Sequence, residues 1–338
     1  MKMKRMMALC LSITMSVLIF TGCGGEKSSA IDGEKGEGEK VLIKMAHVVA
    51  EDHPYNLACL KFKEILENSG QNVEVQIFAN SQLGGERELA ESMQLGTLDI
   101  AIIPGVIGNF SDELGVLDMP YLFESKEHAY KILDGEIGQK LAQNLPNTSG
   151  FRLLSYWENG YRNMTNSRRS IKTPQDVAGL TIRVPENSVY QAFFEELGAN
   201  VVAISFSELY TSLSQKTVDG QENPVALIAT NKLYETQPYL SLTEHFYGPA
   251  HVCISEKSWQ GYSEELHELI TSAAEEAREF EREKMAELES TYVKQIEDAG
   301  TEIIEVDKSL FTDAAEKTYA RFETQYGDLI REIKSVEY

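Results

Sequence analysis

Apolar and polar positions follow two alternating rhythms along most of the chain. An apolar run over 41–46 predicts a strand, and Ala58, Phe62 and Ile65 recur at helical spacing within 54–69. Val73, Val75 and Ile77 alternate with Glu74 and Gln76, the two-residue period of a strand. Gly84-Gly85 precedes a helical pattern through Leu95, and 98–103 reads as an apolar strand. This order, strand-helix-strand-helix-strand, predicts an α/β unit in which helices cross between strands of one sheet. A second unit follows. Strands are predicted at 151–156, 180–184 and 201–204, with helices from Thr173-Pro174, over 188–197, and over 205–215 behind a Ser205-to-Glu208 capping box. The longest periodic stretch is 263–298. Leu266, Ile270, Ala273, Ala277 and Phe280 form one stripe, and Met285, Leu288, Tyr292 and Ile296 resume it after a slip. At 1.5 Å per residue such a helix is roughly 54 Å long, so it spans two domains or forms a coiled coil. The broken, alanine-rich stripe favours spanning over a dimer zipper. A strand at 302–306 and a helix over 309–335 close the chain.

The first residues break this pattern. Lys2, Lys4 and Arg5 precede a mostly apolar run over 6–20 and the small pair Thr21-Gly22, the layout of a secretory signal. Phe20-Thr21-Gly22-Cys23 resembles a bacterial lipobox, which makes Cys23 the lipidated first residue of the mature chain, after removal of 1–22. Residues 23–40 carry almost no apolar side chains and read as a flexible tether. The expected location is therefore extracytoplasmic, on a lipid anchor at the outer face of the cell membrane. Charge narrows the partners. The 31 Lys+Arg and 53 Asp+Glu of the 338 residues give −22, and loss of the signal takes this to −25. So acidic a chain is a poor nucleic-acid binder, and any anion it takes must meet a few local cations. No CxxC, HExxH or Cys/His cluster supports a metal, no glycine-rich loop supports a nucleotide, and no cofactor is expected. Cys59 and Cys253 fit two small buried side chains better than a disulfide.

One cation stands out. Arg183 sits inside the apolar strand at 180–184, where a guanidinium needs an acceptor. Residue type alone leaves two readings, an internal Arg–carboxylate pair or a ligand carboxylate held in the fork.

Several strings, in order, resemble a known family. They are Gly84-Gly85-Glu86-Arg87-Glu88-Leu89 with Leu95-Gly96-Thr97-Leu98-Asp99, Ile182-Arg183-Val184-Pro185, Phe206-Ser207-Glu208-Leu209-Tyr210, and Val218-Asp219-Gly220-Gln221-Glu222-Asn223-Pro224. From about Val41 onward the chain resembles the C4-dicarboxylate-type substrate-binding proteins of TRAP (tripartite ATP-independent periplasmic) transporters. The resemblance implies an α/β, two-lobed clamshell of the periplasmic-binding-protein kind, with the long helix across both lobes. The expected division is 41–158 plus 248–280 for one lobe and 159–247 plus 281–338 for the other. The resemblance further implies that Arg183 forms a bidentate salt bridge to the ligand carboxylate. Arg162 matches a second arginine, Asn223 a hydrogen-bonding asparagine, and Phe206 an aromatic that packs on the ligand. Glu86 and His47 match positions that face the cleft. A membrane permease is the implied partner.

Sialic-acid-binding members carry a Glu and an Arg where this chain has Pro104 and Ile107, which disfavours that ligand. A uronate such as glucuronate or galacturonate, with its several hydroxyls, suits Glu86, His47, Asn223 and Asn159 or Gln221. Trp157 and Tyr156 offer faces for a sugar ring, and His53 either meets the ligand or caps the helix at Pro54. The function expected is thus a transport receptor for a small organic acid, a sugar acid above all. The alternatives are a C4-dicarboxylate receptor of the same kind, a sensor subunit, and an extracellular sugar-acid hydrolase or lyase. No GxSxG and no Ser/His/Asp ordering supports the enzyme.

Overall fold

The computed structural model describes residues 40–338. The signal segment, Cys23 and nearly all of the tether lie outside the described residues. The chain enters through β1 (Val41–Ala46), α1 (Pro54–Glu67), β2 (Val73–Phe78), α2 (Glu86–Leu95) and β3 (Ile100–Pro104), the alternation its pattern predicts. Two 3-10 turns and three short helices follow, α3 (Lys126–Leu133), α4 (Glu136–Ala142) and α5 (Leu145–Ser149). Next come β4 (Phe151–Asn166), α6 (Pro174–Val177), β5 (Thr181–Val184), α7 (Ser188–Glu196) and β6 (Asn200–Ala203). The second half continues with α8 (Phe206–Ser214), β7 (Gly220–Pro224), α9 (Val225–Thr230), β8 (Tyr239–Ser255) and α10 (Glu256–Gln260). It ends with α11 (Glu264–Asp298), β9 (Glu302–Glu305) and α12 (Thr312–Lys334), the last entered through a 3-10 turn at Lys308–Phe311.

The two α/β units share one sheet of order β2-β1-β3-β8-β4-β7-β5-β6, with β9 beside β8. Parallel pairs flank the sheet, and the long antiparallel pair β4–β8 runs through its middle. The sequence pattern ends β4 at Tyr156, but the strand runs on to Asn166, so the segment from Asn159 is strand rather than loop. β8 has no counterpart in the pattern. From Phe246 to Ser255 every residue is buried, so no alternation marks the strand. The helix expected at Thr173 is a single turn, 174–177. The Ser205 capping box is not formed, since the Ser205 hydroxyl lies 3.0 Å from that of Ser207 and caps no backbone N–H.

Apolar side chains gather into distinct cores. Ile43, Phe62, Ile102, Phe151 and Ile254 belong to the first, Ile182, Phe193, Phe194 and Phe246 to a second, and Leu209, Ile228, Leu240 and Ile296 to a third. Helix α11 joins the first to the third: Leu266, Ile270, Ala273 and Ala277 pack in one, Met285, Tyr292 and Ile296 in the other. The slip in its stripe is the crossing point. There Glu281 is fully buried and its Oε2 accepts from the Glu158 N–H at 2.9 Å. Arg282 donates to Asp134 at 2.6 Å and to the Tyr156 carbonyl at 3.0 Å. Helix α12 packs Ala314 and Ala315 in the second core and returns Tyr326, Ile330 and Ile333 to the first. Cys59 and Cys253 are free and buried. No described helix is long and apolar enough to cross a membrane.

Candidate functional site

The middle of the sheet is irregular, and the irregularities place the site. The β4–β8 register shifts between Glu158 and Gly160 and again between Arg162 and Met164. A bulge re-aims the side chains beside it. Gly160 takes φ +98, a conformation strained for any residue with a Cβ, and the extra residue of the first bulge is Asn159. Across β4 lies β7, which pairs Arg162 with Pro224 and Asn163 with Asn223. Across β7 lies β5, whose Arg183 pairs with Gln221. Three neighbouring strands thus carry Asn159 and Arg162, Asn223, and Arg183.

These residues line a narrow cavity, joined by Glu86 from the first turn of α2. Its walls are Val48 and Val49 after β1, Pro104 and Gly105 at the end of β3, Pro185 after β5, Phe206 at the start of α8, and Leu227 on α9. Residues from both halves therefore meet around it. The halves are also tied directly beside the cavity. Asn187 donates to the Gly105 carbonyl at 2.9 Å and to Asp118 Oδ2 at 2.6 Å, while Arg87 pairs with Glu186.

The two arginines differ sharply. Arg162 is buried with Glu222: its Nε meets Oε2 at 2.5 Å and its Nη2 meets Oε1 at 2.7 Å. The same Nη2 reaches Asn223 Oδ1 at 3.0 Å. Burial works against the Arg162 charge, but Glu222 more than offsets it and holds the guanidinium above its ordinary pKa. Arg183 is only 1% exposed, yet no carboxylate among the described residues lies within salt-bridge distance of it. Its Nε donates to the Ile204 carbonyl at 2.7 Å, and its Nη2 is buried without a partner among the described residues. Burial lowers its pKa to about 10, with Glu222 and Glu86 opposing the shift. The internal-pair reading left open by the sequence is thus realised at Arg162 and not at Arg183.

Glu86 is buried to the same end. Desolvation raises its carboxyl to about 7, against the pull of Arg183 and Arg162. Asn159 Oδ1 accepts from the Tyr55 hydroxyl at 2.9 Å, and its Nδ2 is buried and unpartnered. Asn223 gives its Nδ2 to Gln221 Oε1. The cavity therefore offers unsatisfied donors, one acidic group and apolar walls, an arrangement for holding a small anion.

Six of the residues singled out in the sequence come together here: Arg183, Arg162, Asn223, Glu86, Asn159 and Phe206. His47 and Trp157 do not line the cavity. The His47 ring is turned to Asn56, Nε2 to Oδ1 3.1 Å, and burial keeps it neutral, its pKa lowered to about 4. Trp157 is fully buried in the first core, its ring 6.2 Å from that of Tyr55. Tyr156 likewise serves the core and donates to the Gly138 carbonyl at 2.8 Å. His53 is a helix cap, its Nδ1 accepting from Tyr55 N at 3.1 Å. Gln221 lies behind Asn223 and donates to Thr165 at 2.8 Å. Sequence reasoning missed Glu222 and Tyr55. Glu222 stood inside a quoted string, but 53 acidic residues gave no reason to choose it. Tyr55 looked like any buried aromatic of α1.

Comparison with known proteins agrees with this geometry. Residues 45–325 match the family model "Bacterial extracellular solute-binding protein, family 7". The 2,3-diketo-L-gulonate-binding periplasmic protein YiaO of Escherichia coli is 32% identical over 302 residues, 87% of this chain and 92% of that one. A TRAP periplasmic solute-binding protein of Pseudomonas putida with bound D-glucuronate superposes with TM-score 0.85 at 27% identity, covering 88% of this chain and 98% of that one. One of Sulfurospirillum deleyianum with bound succinate superposes with TM-score 0.84 at 32% identity, covering 88% and 99%. An α/β fold in two lobes with a long helix crossing between them fits what the matches say: the chain belongs to the family 7 bacterial extracellular solute-binding proteins, the TRAP receptors, which bind their solutes rather than transform them.

Proposed function

We propose that the cavity receives a sugar acid, of which glucuronate and galacturonate are the type, and that the receptor hands it to a TRAP permease in the membrane. The observation that carries the reading is Arg183, whose buried Nη2 has no partner among the described residues, rich in acids though they are. A guanidinium left so is matched by a carboxylate arriving from outside. Arg162 lines the same cavity, its charge already matched by Glu222. Asn159, Asn223 and Glu86 serve the hydroxyls, and Phe206 packs on the carbon skeleton. Relatives that bind 2,3-diketo-L-gulonate and D-glucuronate support a sugar acid. The succinate-bound relative supports a second reading, a C4-dicarboxylate. Against it stands Glu86, which sets a negative charge near any second carboxylate once ionised.

The lobes we propose are 41–158 with 248–280 and 159–247 with 281–338. The Glu158–Gly160 bulge and the Glu281–Arg282 slip fall at these boundaries, which supports them. The end of α12 departs from the division by packing in the first core. Ligand contacts to both lobes favour the closed state over the open one. A lipid on Cys23 and the tether through residue 40 hold the receptor at the outer membrane face. Calorimetry with D-glucuronate tests the site. Arg183→Ala should bind more than a hundredfold more weakly, about 3 kcal/mol, as expected when one partner of a buried charge pair is lost. Equal affinity in the variant defeats the assignment.

A further inference from the structure

We infer that Tyr55 is a positioning residue that fixes Asn159 as a hydrogen-bond donor, so that the ligand must present an acceptor oxygen to Asn159 in addition to its carboxylate. The inference rests on the receptor reading above and adds a requirement to it.

Tyr55 lies on α1 with no exposed surface. Its ring is held edge-on to His53 at 4.5 Å and tilted against Trp157 at 6.2 Å. His53 and Trp157, both singled out in the sequence, thus pack against this tyrosine. Its hydroxyl has one partner among the described residues, Asn159 Oδ1 at 2.9 Å. Burial, together with Glu281 and Glu86, raises the phenol well above its ordinary pKa, so the proton stays on.

An amide has a carbonyl end and an NH₂ end, and nothing intrinsic decides which faces the cavity. Tyr55 decides it. A buried hydroxyl proton left without an acceptor is costly. Turning the amide over would aim Nδ2 at the phenol oxygen and leave that proton with nowhere to go. Nδ2 therefore points away from Tyr55. In this orientation Nδ2 is buried and unpartnered, on a residue that lines the cavity. Gly248 passes close by, near enough that a Cβ there would come within 3.1 Å of Nδ2. A carbonyl, a ring oxygen or a hydroxyl lone pair satisfies such a donor. A methylene strands it.

The test is calorimetry with D-glucuronate and its monodeoxy analogues on the wild type, Tyr55→Phe, Asn159→Leu and Arg183→Ala. On the wild type, removing one particular oxygen should weaken binding at least tenfold. In Asn159→Leu the same deletion should cost less than threefold. In Tyr55→Phe, with the amide free to turn, the ratio should fall to an intermediate value while the thermal melt shows a folded protein. A merely structural role for Tyr55 would weaken every analogue alike and leave the ratios unchanged, and that result overturns the inference. So does an Asn159→Leu variant with wild-type ratios, which decides the matter even if Tyr55→Phe does not fold. No binding of D-glucuronate to the wild type overturns the inference together with the uronate reading. Arg183→Ala binding as tightly as the wild type defeats the role given to Arg183 alone, because the deoxy ratios do not depend on it.

Discussion

Two side chains in the cavity hold charge states that folding alone does not favour. Arg183 is desolvated without a carboxylate, and Glu86 is a carboxyl raised by burial to about 7. Both are features of a site whose last partner comes from solution. The Glu86 shift has a definite sign. Its ordinary value is 4.5, so between 4.5 and 7 the folded protein holds more protons than the unfolded chain. The stability Glu86 contributes is present below that window and is lost as pH rises through 7. Glu86→Gln should therefore gain on the wild type as pH goes from 5 to 8, by up to about 3 kcal/mol. Urea titrations at the two pH values measure it, and a gain that is the same at both contradicts the burial of this carboxyl. The same variant should bind a hydroxylated acid less well, the usual opposition of stability and function at a binding site.

Among the elements, α11 shows how much the sequence discloses and where it stops. Its length, its two stripes and the slip between them were all legible, because helical periodicity survives wherever one face is buried. The meaning of the slip was not legible, since Glu281 and Arg282 look like surface residues of an acidic helix. In the fold they are buried against the β4 bulge. Burial and the neighbouring Glu158 raise the Glu281 carboxyl well above its ordinary pKa. Glu281→Gln keeps an acceptor for the Glu158 N–H and should lie within about 1 kcal/mol of the wild type at pH 7. Glu281→Leu strands that N–H and should cost about 1–3 kcal/mol. Equal urea midpoints for the two variants would show that the N–H needs no acceptor there. β8 is the opposite case: buried on both faces through its second half, it shows no period. Arg183 was found because an arginine in an apolar strand is anomalous wherever it occurs. The partner of Arg162 could not be found, because pairing across β4 and β7 depends on a register that only the folded sheet displays.

For the whole molecule, the cavity sits where both halves supply walls, so a ligand held there would act as a cross-link between them. A ligand that binds only this closed arrangement should stabilise the protein by about 2.7 kcal/mol at a hundredfold excess over its Kd. In a thermal-shift screen that corresponds to roughly 4 °C for a chain of this size. At one common concentration D-glucuronate should reach it and succinate should fall short; the reverse order would assign the site to dicarboxylates. The shared pair β4–β8 bears on how such a molecule is built. Ile100 finds its antiparallel neighbour only at Ile254, and Phe151 only at Ser255. A chain emerging from its N-terminus therefore has no finished core until Ser255 is out. Until then the edge of β3 and the first part of β4, before the segment that β7 pairs, stand as bare templates for stray strands. The hazardous period in the life of this protein is its delivery, when three quarters of the polypeptide must be kept from its own kind before any part can settle.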